Sequence, residues 1–209
     1  MTYMLSAICL VLIPYLSFAW DVIPEDASPI NLSHLSNFVS FAPQAKYYFG
    51  LDAGVEHYKL LALLSKNLPE GSLAVDLGTF YGASALAMSF NPNVKVITYD
   101  ISELIPPADV SLSIRHVSNI LYLIKDGIAD AQRYAREASL ILLDVDPHDG
   151  IQEKRFIEVM LELKFVGLVV CDDIHLNEGM RYWWDWVPLR KIDVSQYGHH
   201  SGTGFIFFD

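Results

Sequence analysis

The chain has 209 residues, 52% of them apolar, and a formal charge of −11 from 25 acidic residues against 14 Lys and Arg. That length fills one core and is short for two. No run of Lys or Arg is present to neutralise phosphates, so nucleic acid is excluded as the main partner and a small-molecule ligand is the default.

The first twenty residues, MTYMLSAICLVLIPYLSFAW, form an apolar leader with Ser17-Phe18-Ala19 as a small-x-small cleavage site and no basic residue ahead of it. Two readings stay open: a cleaved signal peptide, which places the protein in the secretory pathway, or an uncleaved apolar helix that acts as an anchor or packs on a cytoplasmic domain. Membrane contact is expected only in the second case. The sequon Asn31-Leu32-Ser33 matters only if the leader is a signal. The two cysteines, Cys9 in the leader and Cys171 in an apolar run, exclude a disulfide framework.

Residues 21–45, with three Pro and several Ser and Asn, read as an irregular connector with one short helix near Leu32 to Val39. The domain then occupies 46–209. GVEHYKLLALLSKNL (54–68) has helical spacing and ends before Pro69. From there strands and helices alternate: strand SLAVDLG, helix GASALAMSF, strand KVITYDI, a weaker strand LSIRHVS, helix KDGIADAQRYAREA, and strand LILLDVD. Helix IQEKRFIEVMLEL and strand VGLVVCDDI come next, then the aromatic MRYWWDWVPL as a helix or turn, and a terminal strand GTGFIFFD. Continuous apolar strands separated by helices predict an α/β domain whose doubly wound, mostly parallel sheet carries helices on both faces.

In such a sheet the ligand lies outside the carboxyl ends of the strands. Four predicted strands end in Asp: Asp76, Asp100, Asp144, and the pair Asp172-Asp173. One such acid is ordinarily a helix cap; four on one edge point to a site. The first turn, Asp76-x-Gly78-x-x-x-Gly82, departs from the dinucleotide fingerprint because Phe80 occupies the position of the glycine that lets backbone approach a pyrophosphate. Asp100 follows Gly78 by 22 residues, near the spacing of an acid that accepts from ribose hydroxyls. A nucleoside ligand with a cationic, phosphate-free tail fits both observations, and S-adenosylmethionine is such a ligand.

VDLGTFYGASALAMS resembles the first motif of class I S-adenosylmethionine-dependent methyltransferases, in the variant where the middle glycine is replaced and Gly-x-Ser opens the helix. ITYDI, LILLDVDPHDG, GLVVCDDIHLNEGM and YGHHSGTGFIFFD extend the resemblance from about Glu56 to the C-terminus. It implies that Asp76 and Gly78 line the methionine end, that Asp100 binds ribose, and that Ser118 and Asn119 face the adenine edge. Thr79, Gly82 and Ser84 belong to the same cradle, where small residues let the helix N-terminus approach the cofactor carboxylate. Asp144, Asp172 and Asp173 resemble the metal triad of catechol O-methyltransferase-like and cephalosporin-hydroxylase-like enzymes, and three hard oxygen donors suit Mg²⁺.

Histidines gather near the same ends. His148 and His175 follow ligand-bearing strands directly and are the first candidates for a general base, ahead of His57 and His200. No His or Cys pair has structural-zinc spacing. Trp183, Trp184 and Trp186 read more readily as core packing than as a substrate lid. The expected function is methyl transfer from S-adenosylmethionine to an oxygen of a small acceptor, assisted by a divalent metal. Two alternatives remain: an NAD-dependent oxidoreductase, which would want a glycine at position 80 and a Tyr-x-x-x-Lys pair, and a non-catalytic binding protein that kept the fold.

Overall fold

The structure is a computed structural model in which residues 27–209 are described. The leader, its cleavage site and Cys9 lie outside the described residues. Among the described residues no helix is long and apolar enough to cross a membrane.

Seven strands form one sheet: β1 (Leu73–Leu77), β2 (Lys95–Asp100), β3 (Ile120–Ile124), β4 (Ala138–Leu143), β5 (Gly167–Asp172), β6 (Arg190–Asp193) and β7 (Thr203–Phe208). Their spatial order is β3-β2-β1-β4-β5-β7-β6. The first five are mutually parallel, and β7 runs antiparallel to both β5 and β6. Among the described residues four α-helices accompany them: α1 (Tyr58–Lys66), α2 (Ala83–Met88), α3 (Ile151–Glu162) and α4 (Glu178–Trp186).

The apolar runs of the central strands follow from burial on both faces. In β4, Leu140 and Leu142 pack with α1 and α2, whereas Ile141 and Leu143 pack with α3 and α4. In β5, Leu168 and Val170 face the first layer, and Val169 and Cys171 the second. Trp183 and Trp184 are buried in the second layer, so the aromatic segment is core as expected, while Trp186 is partly exposed. The described part of the connector is not a free linker. It forms 3₁₀ segments at Ser33–Val39 and Pro43–Gly50, and Leu32, Leu35, Val39, Ala45 and Phe49 join the α1/α2 layer.

Three elements differ from the sequence expectation. LSIRHVS is not a strand: Ser113 accepts from the Arg115 N–H, the His116 ring accepts from the Ser113 N–H, and this reciprocal cap bends Ile114–His116 into one 3₁₀ turn. The strand lies further on, at Ile120–Ile124. KDGIADAQRYAREA is not an α-helix. Its buried residues Ile128, Ala131, Tyr134, Ala135 and Ala138 keep the spacing of a helix face, yet the backbone forms a single 3₁₀ turn at Ala131–Arg133. β6, Arg-Lys-Ile-Asp, is a short, largely exposed edge strand whose polar sequence carries no strand signal.

The order places β1 beside β4, and the chain reverses its direction of progress across the sheet there. At that switch point Gly78 has a φ of +109°, and a Cβ on it would stand 1.7 Å from the Asp144 carbonyl oxygen. Only glycine fits both the backbone conformation and the contact.

Gly71 offers a control, since its φ is also left-handed, at +82°, but a Cβ there meets nothing within 4 Å. Gly71→Ala is expected to cost about 1 kcal/mol, and Gly78→Ala at least about 3 kcal/mol, in urea unfolding of the full chain. Equal losses would mean that the close approach at Gly78 carries no weight.

Candidate active site

A cavity of about 620 Å³ opens across the carboxyl ends of β1 to β4. On the β1/β2 side it is lined by Gly78, Thr79, Phe80, Ser84 and Asp100. The Asp100 carboxylate is fixed by two backbone donors: the Phe80 N–H to Oδ2 and the Ser102 N–H to Oδ1, each at 2.8 Å. A carboxylate accepts about four hydrogen bonds, so each oxygen keeps capacity for a hydroxyl donor. Phe80 reaches this position with a φ of +46°, unusual for a bulky residue, and its ring lies 3.9 Å from that of Tyr81. The segment after β3 closes the cavity floor with Asp126, Gly127 and Ile128. Asp126 Oδ1 accepts from the N–H groups of Ile128 and Ala129, and a Cβ on Gly127 would strike Leu77 at 2.5 Å.

Asp76 lies beneath this cradle, fully buried and outside the cavity wall. Its Oδ2 accepts from Ser84 Oγ at 3.0 Å and Thr98 Oγ1 at 2.6 Å, which tie α2 and β2 to β1, while Oδ1 has no partner. Burial raises its pKa from 3.8 to about 7, against the lowering effect of those two donors.

On the β4/β5 side the cavity ends in a dense group of acids and imidazoles. His148, with a φ of +54°, places Nε2 3.6 Å from Asp144 Oδ1 and Nδ1 3.8 Å from Asp173 Oδ2. Behind it, His57 Nδ1 stands 3.2 Å from Asp172 Oδ1, and His199 Nδ1 stands 3.4 Å from the same oxygen. His199 also approaches Asp173 at 3.2 Å, Ser201 Oγ at 2.7 Å and, through Nε2, Glu56 at 3.7 Å. Burial would lower the pKa of His57, but the Asp172 carboxylate outweighs it and lifts it to about 9; His199, in the same balance, rises to about 10. Asp144 is pushed well up by burial and by the Asp172 charge, whereas the two imidazoles overcome burial at Asp172 and hold it low.

The structure thus brings together Gly78, Thr79, Ser84, Asp100, Asp144 and His148 on the cavity wall. Gly82 stands one step back as the left-handed cap of α2, against Ile114. Ser118 and Asn119 are displaced. With the third strand at 120–124 they precede it, at its amino end, where Asn119 Nδ2 donates to the Val94 carbonyl at 2.9 Å. Their place at the carboxyl end is taken by Lys125 to Ile128. His175 pairs with Asp193 at 2.7 Å in an exposed position away from the cavity wall, and His200 is exposed beside His199. The three acids expected to hold Mg²⁺ do not gather on one point: Asp144 and Asp173 flank His148. Among the described residues, the group whose ligand atoms lie within 4.8 Å of one another is His57, Asp172 and His199. In the sequence His199 stands out only as half of the doubled His199-His200 ahead of Gly202, and Glu56 carries no signal at all.

No family model matches the chain. A 129-residue stretch is 32% identical to the SusD-like protein P25 of Formosa agariphila, covering 60% of this chain and 22% of that protein. The chain therefore spans about a fifth of the length of that curated relative. Among solved structures, a Staphylococcus aureus protein assigned as a caffeoyl-CoA O-methyltransferase superposes with a TM-score of 0.61 at 14% identity, over 84% of this chain and 94% of that one. An SAH-bound methyltransferase of Podospora anserina gives 0.55 at 14% identity, over 73% and 78%. A spermidine synthase gives 0.50 at 15% identity, over 73% and 59%. At these identities the likeness defines a fold, and the fold is that of the class I S-adenosylmethionine-dependent methyltransferases.

Asp76 provides a test of the cradle. A buried carboxyl with a raised pKa binds a proton in the folded state that the unfolded chain has released. Its contribution to stability is therefore intact below pH 4, declines between pH 4 and 7, and is constant above. Asp76→Asn keeps the acceptor oxygen and removes the titration. Relative to the parent, the variant is expected to gain on the order of a few kcal/mol as pH rises through that window, in urea unfolding at stepped pH. A difference that is flat with pH would refute the assignment.

Proposed function

We propose that the protein binds S-adenosylmethionine in the β1/β2/β3 part of the cavity and transfers its methyl group to an oxygen of a small acceptor held against β4. The observation that carries this reading is the Asp100 carboxylate, fixed by two backbone donors at the edge of a glycine turn that leaves no room for a side chain. Asp100 would hold the ribose hydroxyls, Asp126 to Ile128 the base, and Gly78 with the first turn of α2 the methionine end. When bound, S-adenosylmethionine supplies a methyl group on a sulfonium centre, for which displacement needs positioning more than covalent help.

His148 is the proton acceptor in this reading. Its Nε2 faces Asp144 and Asp146 and its Nδ1 faces Glu153 and Asp173, at 3.6–3.9 Å, so the ring stands among acidic groups where it can take the acceptor proton. In such a transfer the methyl group would leave sulfur for the acceptor oxygen, and His148 would hold the proton released. Tyr48, Tyr58 and Tyr81 line the same cavity and give the acceptor an aromatic, largely apolar enclosure. A divalent metal on the adjoining His and Asp side chains would add a positive charge beside the reacting oxygen.

Calorimetry of the full chain with S-adenosylmethionine and, separately, with NAD tests the donor. S-adenosylmethionine is expected to bind, with Asp100→Ala weakening it roughly 10- to 100-fold, as loss of hydrogen bonds to a charged acceptor requires. Heat with NAD and none with S-adenosylmethionine would favour an oxidoreductase. Binding that Asp100→Ala does not weaken would overturn the assignment of the cradle.

A further inference from the structure

The cluster behind His148 has a chemistry different from the oxygen-only triad that the sequence leads one to expect. His57 is 2% exposed and Asp172 is 5% exposed. Although their facing atoms are 3.2 Å apart, they are not aligned as a hydrogen bond, and neither ring nitrogen of His57 nor Asp172 Oδ1 has a hydrogen-bond partner. Each such buried atom costs about 1–3 kcal/mol if nothing engages it, against a total stability of about 5–15 kcal/mol for a domain. An unpartnered group of this kind therefore points to a ligand.

The separations indicate which ligand. Two donors bound to one ion at about 2.1 Å stand roughly 3.0–3.5 Å apart, for angles between octahedral and tetrahedral. Asp172 Oδ1 stands 3.2 Å from His57 Nδ1 and 3.4 Å from His199 Nδ1, inside that range. Four carboxyl groups, those of Glu56, Asp144, Asp172 and Asp173, surround the two imidazoles, so the site has negative charge for a dication to balance. Two imidazole nitrogens and one carboxylate oxygen form the donor set favoured by first-row transition metals, whereas Mg²⁺ prefers oxygen donors alone and keeps its waters.

We propose that His57, Asp172 and His199 form a binding site for one divalent transition-metal ion, of the Mn²⁺, Fe²⁺, Co²⁺ or Zn²⁺ class, that discriminates against Mg²⁺. Glu56 faces His199 Nε2 at 3.7 Å, on the opposite ring nitrogen, where an outer partner of a metal-bound imidazole stands, while Asp173 and Ser201 approach Nδ1 itself and give way to the ion. The ion sits beside Asp144 and His148, at the acceptor end of the cavity, and so specifies the metal in the proposed transfer. The site itself does not depend on the methyl donor.

The test uses the full chain treated with EDTA and titrated with CoCl₂ or MgCl₂, followed by calorimetry and by Co²⁺ visible absorption. One Co²⁺ per chain is expected, with Mg²⁺ at least about 100-fold weaker. His199→Ala, in the less buried ligand, is expected to lower Co²⁺ affinity at least about tenfold, while His34→Ala, at an exposed histidine elsewhere, leaves it unchanged. If His199→Ala does not fold, the parent decides: its Co²⁺ form should show far-downfield, solvent-exchangeable imidazole N–H proton resonances. Mg²⁺ binding as tight as Co²⁺, no Co²⁺ binding, or Co²⁺ binding without imidazole resonances would each overturn the proposal. Titration with S-adenosylmethionine on the same samples keeps the two readings separate, because loss of donor binding with Co²⁺ retained defeats only the methyltransferase assignment.

Discussion

Everything in the site depends on how closely β1 and β4 approach at their carboxyl ends. The Gly78 backbone passes so near the Asp144 carbonyl that no Cβ fits between them. That contact sets the angle at which the chain leaves β1, hence where Phe80 donates to Asp100 and where α2 begins. It also places Asp144 at the boundary between the two halves of the cavity, within reach of His148. One missing side chain thus couples the Asp100 end of the cavity to the acid–imidazole end.

Backbone strain is concentrated at the same edge. Among the described residues four non-glycine residues have positive φ, and three of them, Phe80, His148 and Asp173, follow β1, β4 and β5 at the carboxyl edge of the sheet. Each such conformation costs about 1–3 kcal/mol and persists only where packing over-determines it. The two apolar layers supply that packing, since both faces of every central strand are covered. The core holds the chain in conformations that loops alone would not keep, and the reward is a set of carboxylates and imidazoles turned inward.

Those charged groups are held by one another. Asp172 is the centre: its negative charge outweighs burial at His57 and His199 and raises both above the usual histidine range, and it adds to the burial that pushes Asp144 toward its neutral form. Protons therefore balance part of the charge in the protein by itself. Asp76 is a separate case, a carboxyl kept under the cradle by Ser84 and Thr98, where it braces α2 and β2.

The α/β class, the doubly wound sheet, the strand-end acids and the glycine turn were legible in the sequence, because buried parallel strands are continuous apolar runs and the acids that end them interrupt those runs. Three local features were not legible: the Ser113–His116 cap that displaces β3, the single 3₁₀ turn at Ala131–Arg133 under a helix-like burial pattern, and the polar edge strand β6. The displacement of β3 alone leaves Ser118 and Asn119 at the strand's amino end and puts Asp126 and its neighbours on the cavity wall. Nor does any local signal link His57 to His199, which are 142 positions apart and come from the start of α1 and the loop before β7. The sequence by itself determined which strand ends carry charge, since burial patterning is local. Only the tertiary structure decided which side chains share a site, because antiparallel β7 returns the chain to the edge where β5 ends and α1 begins.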